Sequence, residues 1–242
     1  MHRYLDRTEI ASAFAAGDWR QILLKEFEAT LTSEARPFPC VFGVAGLKAN
    51  QLRFAFPDPL TPETLAPVLK HYLTKARGYG PNTSLVVFGR PGPVQSLETY
   101  RARFWELLAG LAALDNHPWP ADIPEALDTP GWEFSFAGEP IFVVCNTPAH
   151  VQRQSRRSTG FMMTFQPRWV FETILGSEAA AERAYQKVRD RLVTYDLLPP
   201  SPALGRYGET ENREFAQYFL GDDNERARCP FHSLTPKKEQ AA

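Results

Sequence analysis

Apolar residues recur at helical spacing in several stretches of the chain. In DWRQILLKEFEATLT (18–32), Trp19, Ile22, Leu23, Phe27 and Leu31 fall on one stripe behind Asp18, which predicts an N-capped helix. TPETLAPVLKHYLTKARG reads as a helix capped by Thr61, opened by Pro62 and ended by Gly78. VQSLETYRARFWELLAGLAAL predicts an amphipathic helix reaching Leu114, RWVFETIL a short helix, and SEAAAERAYQKVRDRLVTYD a long one capped by Ser177. Between them lie short apolar runs that read as strands: CVFGVAG and QLRFAF between Cys40 and Phe56, SLVVFGR at 84–90, and GFMMTFQP. GWEFSFAGEPIFVVCN predicts a hairpin, with alternating Trp132, Phe134 and Phe136, a turn at Gly138, and the run Ile141 to Cys145. The expected fold class is α+β: one domain over residues 1–230, with a mixed, mostly antiparallel sheet of five or six strands covered by helices. Residues 231–242 are expected to form a flexible tail.

Composition narrows the partners. The chain has 242 residues, 43% of them hydrophobic and 23% charged, enough for a substantial core. A net charge of −1 gives no basic field to hold a polyanion, so nucleic acid is not expected as a partner. Three cysteines, Cys40, Cys145 and Cys229, form no CxxC pair and fit a reducing compartment. No apolar segment is long enough to span a bilayer, and the expectation is a cytoplasmic protein without a membrane partner. The prolines, 21 in all, fall between periodic segments, as in a compact chain with defined turns.

The chemistry concentrates in CNTPAHVQRQSRRSTG (145–160). Thr147 and Pro148 signal a helix start and Gly160 a stop, predicting a helix from about Pro148 to Thr159. On that helix His150, Arg153 and Arg157 would share one face, with Arg156 to the side. A histidine in a first turn feels the positive helix end, which favours the neutral imidazole that a metal or haem iron takes as ligand. The arginines could hold haem propionates or a substrate carboxylate through paired hydrogen bonds. A solvated basic face is the alternative. No HExxH, HxH, P-loop, GxGxxG or GxSxG motif is present, which sets aside protein-only zinc sites and the common nucleotide and hydrolase chemistries. Cys40, in the aromatic, proline-rich FPCVFG, competes as a thiolate ligand of haem, or is a core residue at a strand start.

RPFPCVFG, VVCNTPAH, SRRSTGFMMTFQPRWVFE, LPPSPALGRYG, ENREFAQYFL and CPF occur in an order and spacing that resemble the YqcI/YcgG family, from about Pro37 to Phe231. Some members of that family are similar to haem-dependent N-hydroxylases of the guanitoxin and D-cycloserine biosynthesis types, which act on guanidine groups and arginine. The resemblance implies haem b as cofactor, with O2, an electron donor and a small guanidino or amino substrate as partners. The chain is expected to act alone or as a homodimer. His150 is the position matching an axial imidazole, with Cys40 the alternative ligand of the haem iron. His150→Ala is accordingly expected to strip the haem and Cys40→Ala to leave it. Arg153 and Arg157 would hold the cofactor, while Glu211 and Glu214 would meet a guanidinium and Arg168 would reach the same pocket. The implied function is a haem-dependent monooxygenase hydroxylating nitrogen. A haem carrier or a redox or gas sensor without turnover stands as the alternative, and an interaction protein with a solvated basic face as a third.

Overall fold

A computed structural model describes residues 4–126, 129–174, 176–205 and 213–225. Six strands make one sheet: β1 (Tyr4–Leu5), β2 (Arg53–Ala55), β3 (Leu85–Phe88), β4 (Ser135–Phe136), β5 (Glu139–Asn146) and β6 (Met162–Pro167). Their spatial order is β1-β2-β3-β6-β5-β4, with β2 and β3 parallel and every other neighbouring pair antiparallel. The helices are α1 (Arg7–Ala13), α2 (Trp19–Thr32), α3 (Val41–Lys48), α4 (Pro62–Lys75), α5 (Leu97–Leu114), α6 (Arg168–Ile174), α7 (Glu178–Tyr195) and α8 (Phe215–Tyr218). The fold is α+β. Asp18, Thr61, Ser96 and Ser177 each accept a backbone N–H of the first turn of α2, α4, α5 and α7, satisfying donors that the helix itself leaves free.

Strand alternation divides the core into two layers. Leu85 and Val87 of β3, Met163 and Phe165 of β6, and Ile141 and Val143 of β5 pack against α4 and α5. On the opposite face, Phe54, Val86, Phe88 and Met162 meet Leu23, Leu24 and Leu31 of α2 and Leu47 of α3. The β5–β6 register pairs Phe142 with Gln166, Val144 with Thr164 and Asn146 with Met162. These six side chains share the second face, and there they form the floor of a cavity.

Three segments depart from the sequence expectation. The run CVFGVAG is helix α3, not a strand; a short apolar run does not by itself distinguish the two. Cys40 caps it, its Sγ accepting the Gly43 N–H at 3.3 Å. Gly46 lets the helix close on the strand layer, since a Cβ there would lie 2.4 Å from the Asn82 carbonyl oxygen. At the N-terminus, β1 and α1 lie outside the elements expected from the pattern, although Asp6 and Glu9 form a reciprocal capping box for α1. The third departure is the predicted helix from Pro148 to Thr159, of which only a single 3₁₀ turn, Gln154–Arg156, exists. There the Asp222 carboxylate accepts the backbone N–H groups of Val151, Gln152 and Arg153 at 2.8, 2.8 and 2.7 Å. Those donors are turned toward a residue about 70 positions away in sequence, so a helical ladder does not form.

Candidate functional site

The loop of residues 147–158 is fastened from three sides. His150 has no solvent exposure, and both ring nitrogens are occupied. Nδ1 meets the Thr147 hydroxyl at 2.9 Å and Nε2 meets the Leu220 carbonyl oxygen at 2.9 Å. A carbonyl can only accept, so Nε2 carries the proton and Nδ1 accepts from Thr147. Burial lowers the imidazole pKa, although the Leu220 hydrogen bond opposes it. The ring is therefore neutral, as expected, but through burial rather than a helix end, and neither nitrogen is open to a metal. The axial position expected for His150 is not available in this geometry.

The arginines divide in the same way. Arg153 is fully buried; its Nε donates to the Gly221 carbonyl at 2.7 Å and its Nη2 to the Asp223 carbonyl and the Asn224 side chain at 2.7 and 2.8 Å. Asp196, at the end of α7, lies 3.9 Å from Nη1 and accepts the Ser155 N–H and hydroxyl at 2.6 and 2.9 Å. Arg157 is exposed and donates to the His150 carbonyl at 2.9 Å. Arg157 does not line the main cavity, so its expected role in holding a cofactor gives way to holding the loop, whereas Arg153 does line it, with its Nη1 buried and without a hydrogen bond; the other donors of Arg153 hold the loop to residues 221–224. Arg156, set aside on helical periodicity, lines the same cavity.

That cavity has a volume of about 270 Å³ and lies between the sheet floor, α2, α3 and α7. Phe27, Leu31, Phe38, Phe142 and Val144 make its walls apolar, while Ser84, Thr164 and Gln166 add a polar strip to the floor. Cys40 and Arg156 both line it. Cys40 as a residue reaches solvent, yet its sulfur is enclosed by protein, and this desolvation raises the thiol pKa. The Gly43 and Phe42 N–H groups and the Arg156 guanidinium pull it back down. A sulfur at a helix N-cap beside a guanidinium is the environment in which a thiolate is most readily held. The Gln166 amide, whose oxygen accepts from Ser84 at 3.1 Å, leaves its Nε2 buried without a partner. A second, more polar cleft of about 230 Å³ shares the Phe27, Phe38 and Met162 wall and takes in Arg36 and Arg157.

The remaining expected residues gather elsewhere. Arg168 opens α6 and contacts Asp122 at 3.1 Å, Glu172 at 3.3 Å and Glu133 at 3.7 Å. Glu214 is buried near Glu133 and Arg168, and one oxygen of each glutamate is buried without a hydrogen bond. Arg168 and Glu214 therefore come together, with Glu133 as a third member that the sequence reading missed, but none of the three lines the cavity. Glu211, the other expected guanidinium partner, lies outside the described residues, as does the 231–242 tail. Among the described residues no group of three or more His, Cys, Asp or Glu side chains is placed to bind a metal ion, and no helix is long and apolar enough to cross a membrane.

Burial pushes Glu133 up to about 7, with Arg168 opposing and Glu172 and Asp122 reinforcing; burial and the neighbouring Glu133 also raise Glu214. Because the folded pKa is the higher one, the folded state holds protons that the unfolded chain releases, and stability falls as pH rises from about 4.5 to about 7. At about 1.4 kcal/mol per pKa unit the Glu133 contribution is on the order of 3 kcal/mol. Denaturant unfolding at pH 5 and pH 8 is expected to show Glu133→Gln recovering most of that difference; an unchanged pH dependence would exclude a protonated Glu133.

The sequence profile of the YqcI/YcgG family matches residues 27–232. Over 226 residues the chain is 42% identical to "Uncharacterized protein YcgG" of Bacillus subtilis (strain 168), covering 90% of this chain and 89% of that one. It is 46% identical over 206 residues to "Uncharacterized protein YqcI" of the same organism, covering 81% of each. It is also 29% identical over 242 residues to "Putative N(omega)-hydroxy-L-arginine synthase DcsA" of Streptomyces lavendulae, covering 93% of this chain and 90% of that one. No solved structure matches. With the profile spanning most of the chain and two relatives above 40% identity, this protein belongs to the YqcI/YcgG family.

Proposed function

We propose that this chain is a haem-dependent N-hydroxylase acting on a small guanidino compound of the arginine type, with the cofactor in the cavity between the sheet and α3. The observation that carries the reading is the pairing of Cys40 and Arg156 in one cavity with mostly apolar walls; the printed name of the Streptomyces relative supports the reaction class. The donor set fits haem through the cysteine: a thiol at a helix N-cap is a suitable iron ligand, and aromatic and aliphatic walls suit a flat apolar ring. His150, with both nitrogens occupied, does not serve.

Bound haem would supply O2 activation, using two electrons and two protons from an external donor, with one oxygen atom passing to the substrate nitrogen and the other leaving as water. The chain's own residues supply the setting. Phe27, Leu31, Phe38 and Phe142 exclude water, and the Gly43 N–H fixes the Cys40 sulfur. Thr164, Ser84 and Asn146 offer oxygens to guanidinium N–H donors from the sheet floor.

The test is an absorption spectrum of the purified protein after haem reconstitution, followed by titration with arginine. The expected result is a Soret band whose spin state shifts on adding arginine or another guanidino compound. Absence of the band would overturn the haem reading. A band indifferent to a panel of guanidino and amino compounds would favour a carrier or sensor.

A further inference from the structure

We propose that Arg156 is the anion-binding residue of the cavity and takes a carboxylate. The inference deepens the N-hydroxylase reading and rests on it for the identity of the ligand.

Three arginines stand within five residues, and the structure distinguishes them by what their guanidinium groups already hold. Arg153 also lines the cavity, but it spends Nε and Nη2 on Gly221, Asp223 and Asn224, and its Nη1, which has no hydrogen bond, lies 3.9 Å from the Asp196 carboxylate that neutralises it; Arg157 donates to the Pro148 and His150 carbonyls. Arg156 has a single side-chain hydrogen bond, a long one of 3.2 Å from Nη2 to the Gln217 carbonyl, and no carboxylate within ion-pair distance among the described residues. Among the described residues its other N–H donors meet no partner, and the group lines the cavity. Burial, reinforced by the neighbouring Arg153, lowers its pKa to about 10, so it still carries a full charge at neutral pH. Arg156 is half-buried, and a guanidinium partly withdrawn from water with free donors facing a cavity is well placed to be answered by an anion. A carboxylate matches it best, because the planar fork accepts both oxygens at once.

Two carboxylates are available on the functional reading, a haem propionate and the α-carboxylate of an amino-acid substrate. Haem-loaded wild type and Arg156→Gln separate them. If Arg156 holds the substrate carboxylate, wild type binds arginine more tightly than agmatine, which lacks only that carboxylate, and the variant loses the preference. If it holds a propionate, haem transfer to apomyoglobin accelerates in the variant, while the dimethyl ester of haem leaves both proteins at the same rate. Either effect is expected at about 10- to 100-fold, as loss of a charged hydrogen-bond pair implies. Arg156→Lys, which keeps the charge but not the fork, is to show the same ligand dependence at reduced size and stands in if the glutamine variant does not fold. Variants matching wild type in both arms overturn the inference. A wild type with no Soret band overturns the functional reading instead, and the two failures are therefore distinct.

Discussion

Cys40→Ala is expected to lose the Soret band on haem reconstitution, whereas His150→Gln keeps it at the wild-type position. The reason lies in what each side chain has left to offer. The imidazole is closed on both sides, by Thr147 and by a carbonyl 70 residues along the chain, and freeing either nitrogen would leave a buried polar group without a partner. The Cys40 sulfur accepts the Gly43 N–H at 3.3 Å, with the Phe42 N–H beside it, and lines the cavity. Burial holds the metal-free thiol protonated, but an iron centre favours the thiolate outright, and the helix N-terminus and Arg156 act in the same direction. In the ferrous CO form, wild type is expected to show the far-red-shifted Soret of a thiolate ligand, and His150→Gln the same band with a lower thermal midpoint. A Cys40→Ala protein with an intact band, or a His150→Gln protein without one, would return the ligand to the histidine.

The closed imidazole of His150 shows where sequence reading stops. The helices α2, α4, α5 and α7 were legible because period and caps are local: Asp18, Thr61 and Ser177 sit next to the N–H groups they satisfy. The β4–β5 hairpin was legible for the same reason, with Ala137 and Gly138 at positive φ in its turn. The 148–159 segment carries equally good local signals, yet Asp222 takes its amides and Leu220 takes its histidine, and neither partner is marked in the sequence near them. Once the helix is gone, the face shared by His150, Arg153 and Arg157 goes with it, and Arg156 joins Arg153 in lining the cavity. Cys40 was visible as a candidate thiol, but its place at the head of α3 depended on reading an apolar run as helix, and only packing against Asn82 decides that.

Arg153→Met is expected to destabilise the protein by about 3–5 kcal/mol, the range found when one partner of a buried charged network is removed. Methionine fills much of the volume but donates nothing. The Gly221 and Asp223 carbonyls and the Asn224 side chain would each lose a donor, and the buried Asp196 carboxylate its neutralising charge. For a chain of this size the thermal midpoint is expected to fall by roughly 6–20 °C. The loss should also be local. Residues 221–224 carry Asp222, which accepts the Val151, Gln152 and Arg153 amides, and its carboxylate is held below the usual range because those bonds outweigh its partial burial. Loosening that segment exposes these amides, so hydrogen exchange at Val151 and Gln152 is expected to accelerate more than at Val143 in the middle of β5. Arg156, three residues on, is then held less firmly over the cavity, and ligand affinity should weaken as well. A variant as stable as wild type, with unchanged exchange at Val151, would show that the loop is positioned by something other than this guanidinium.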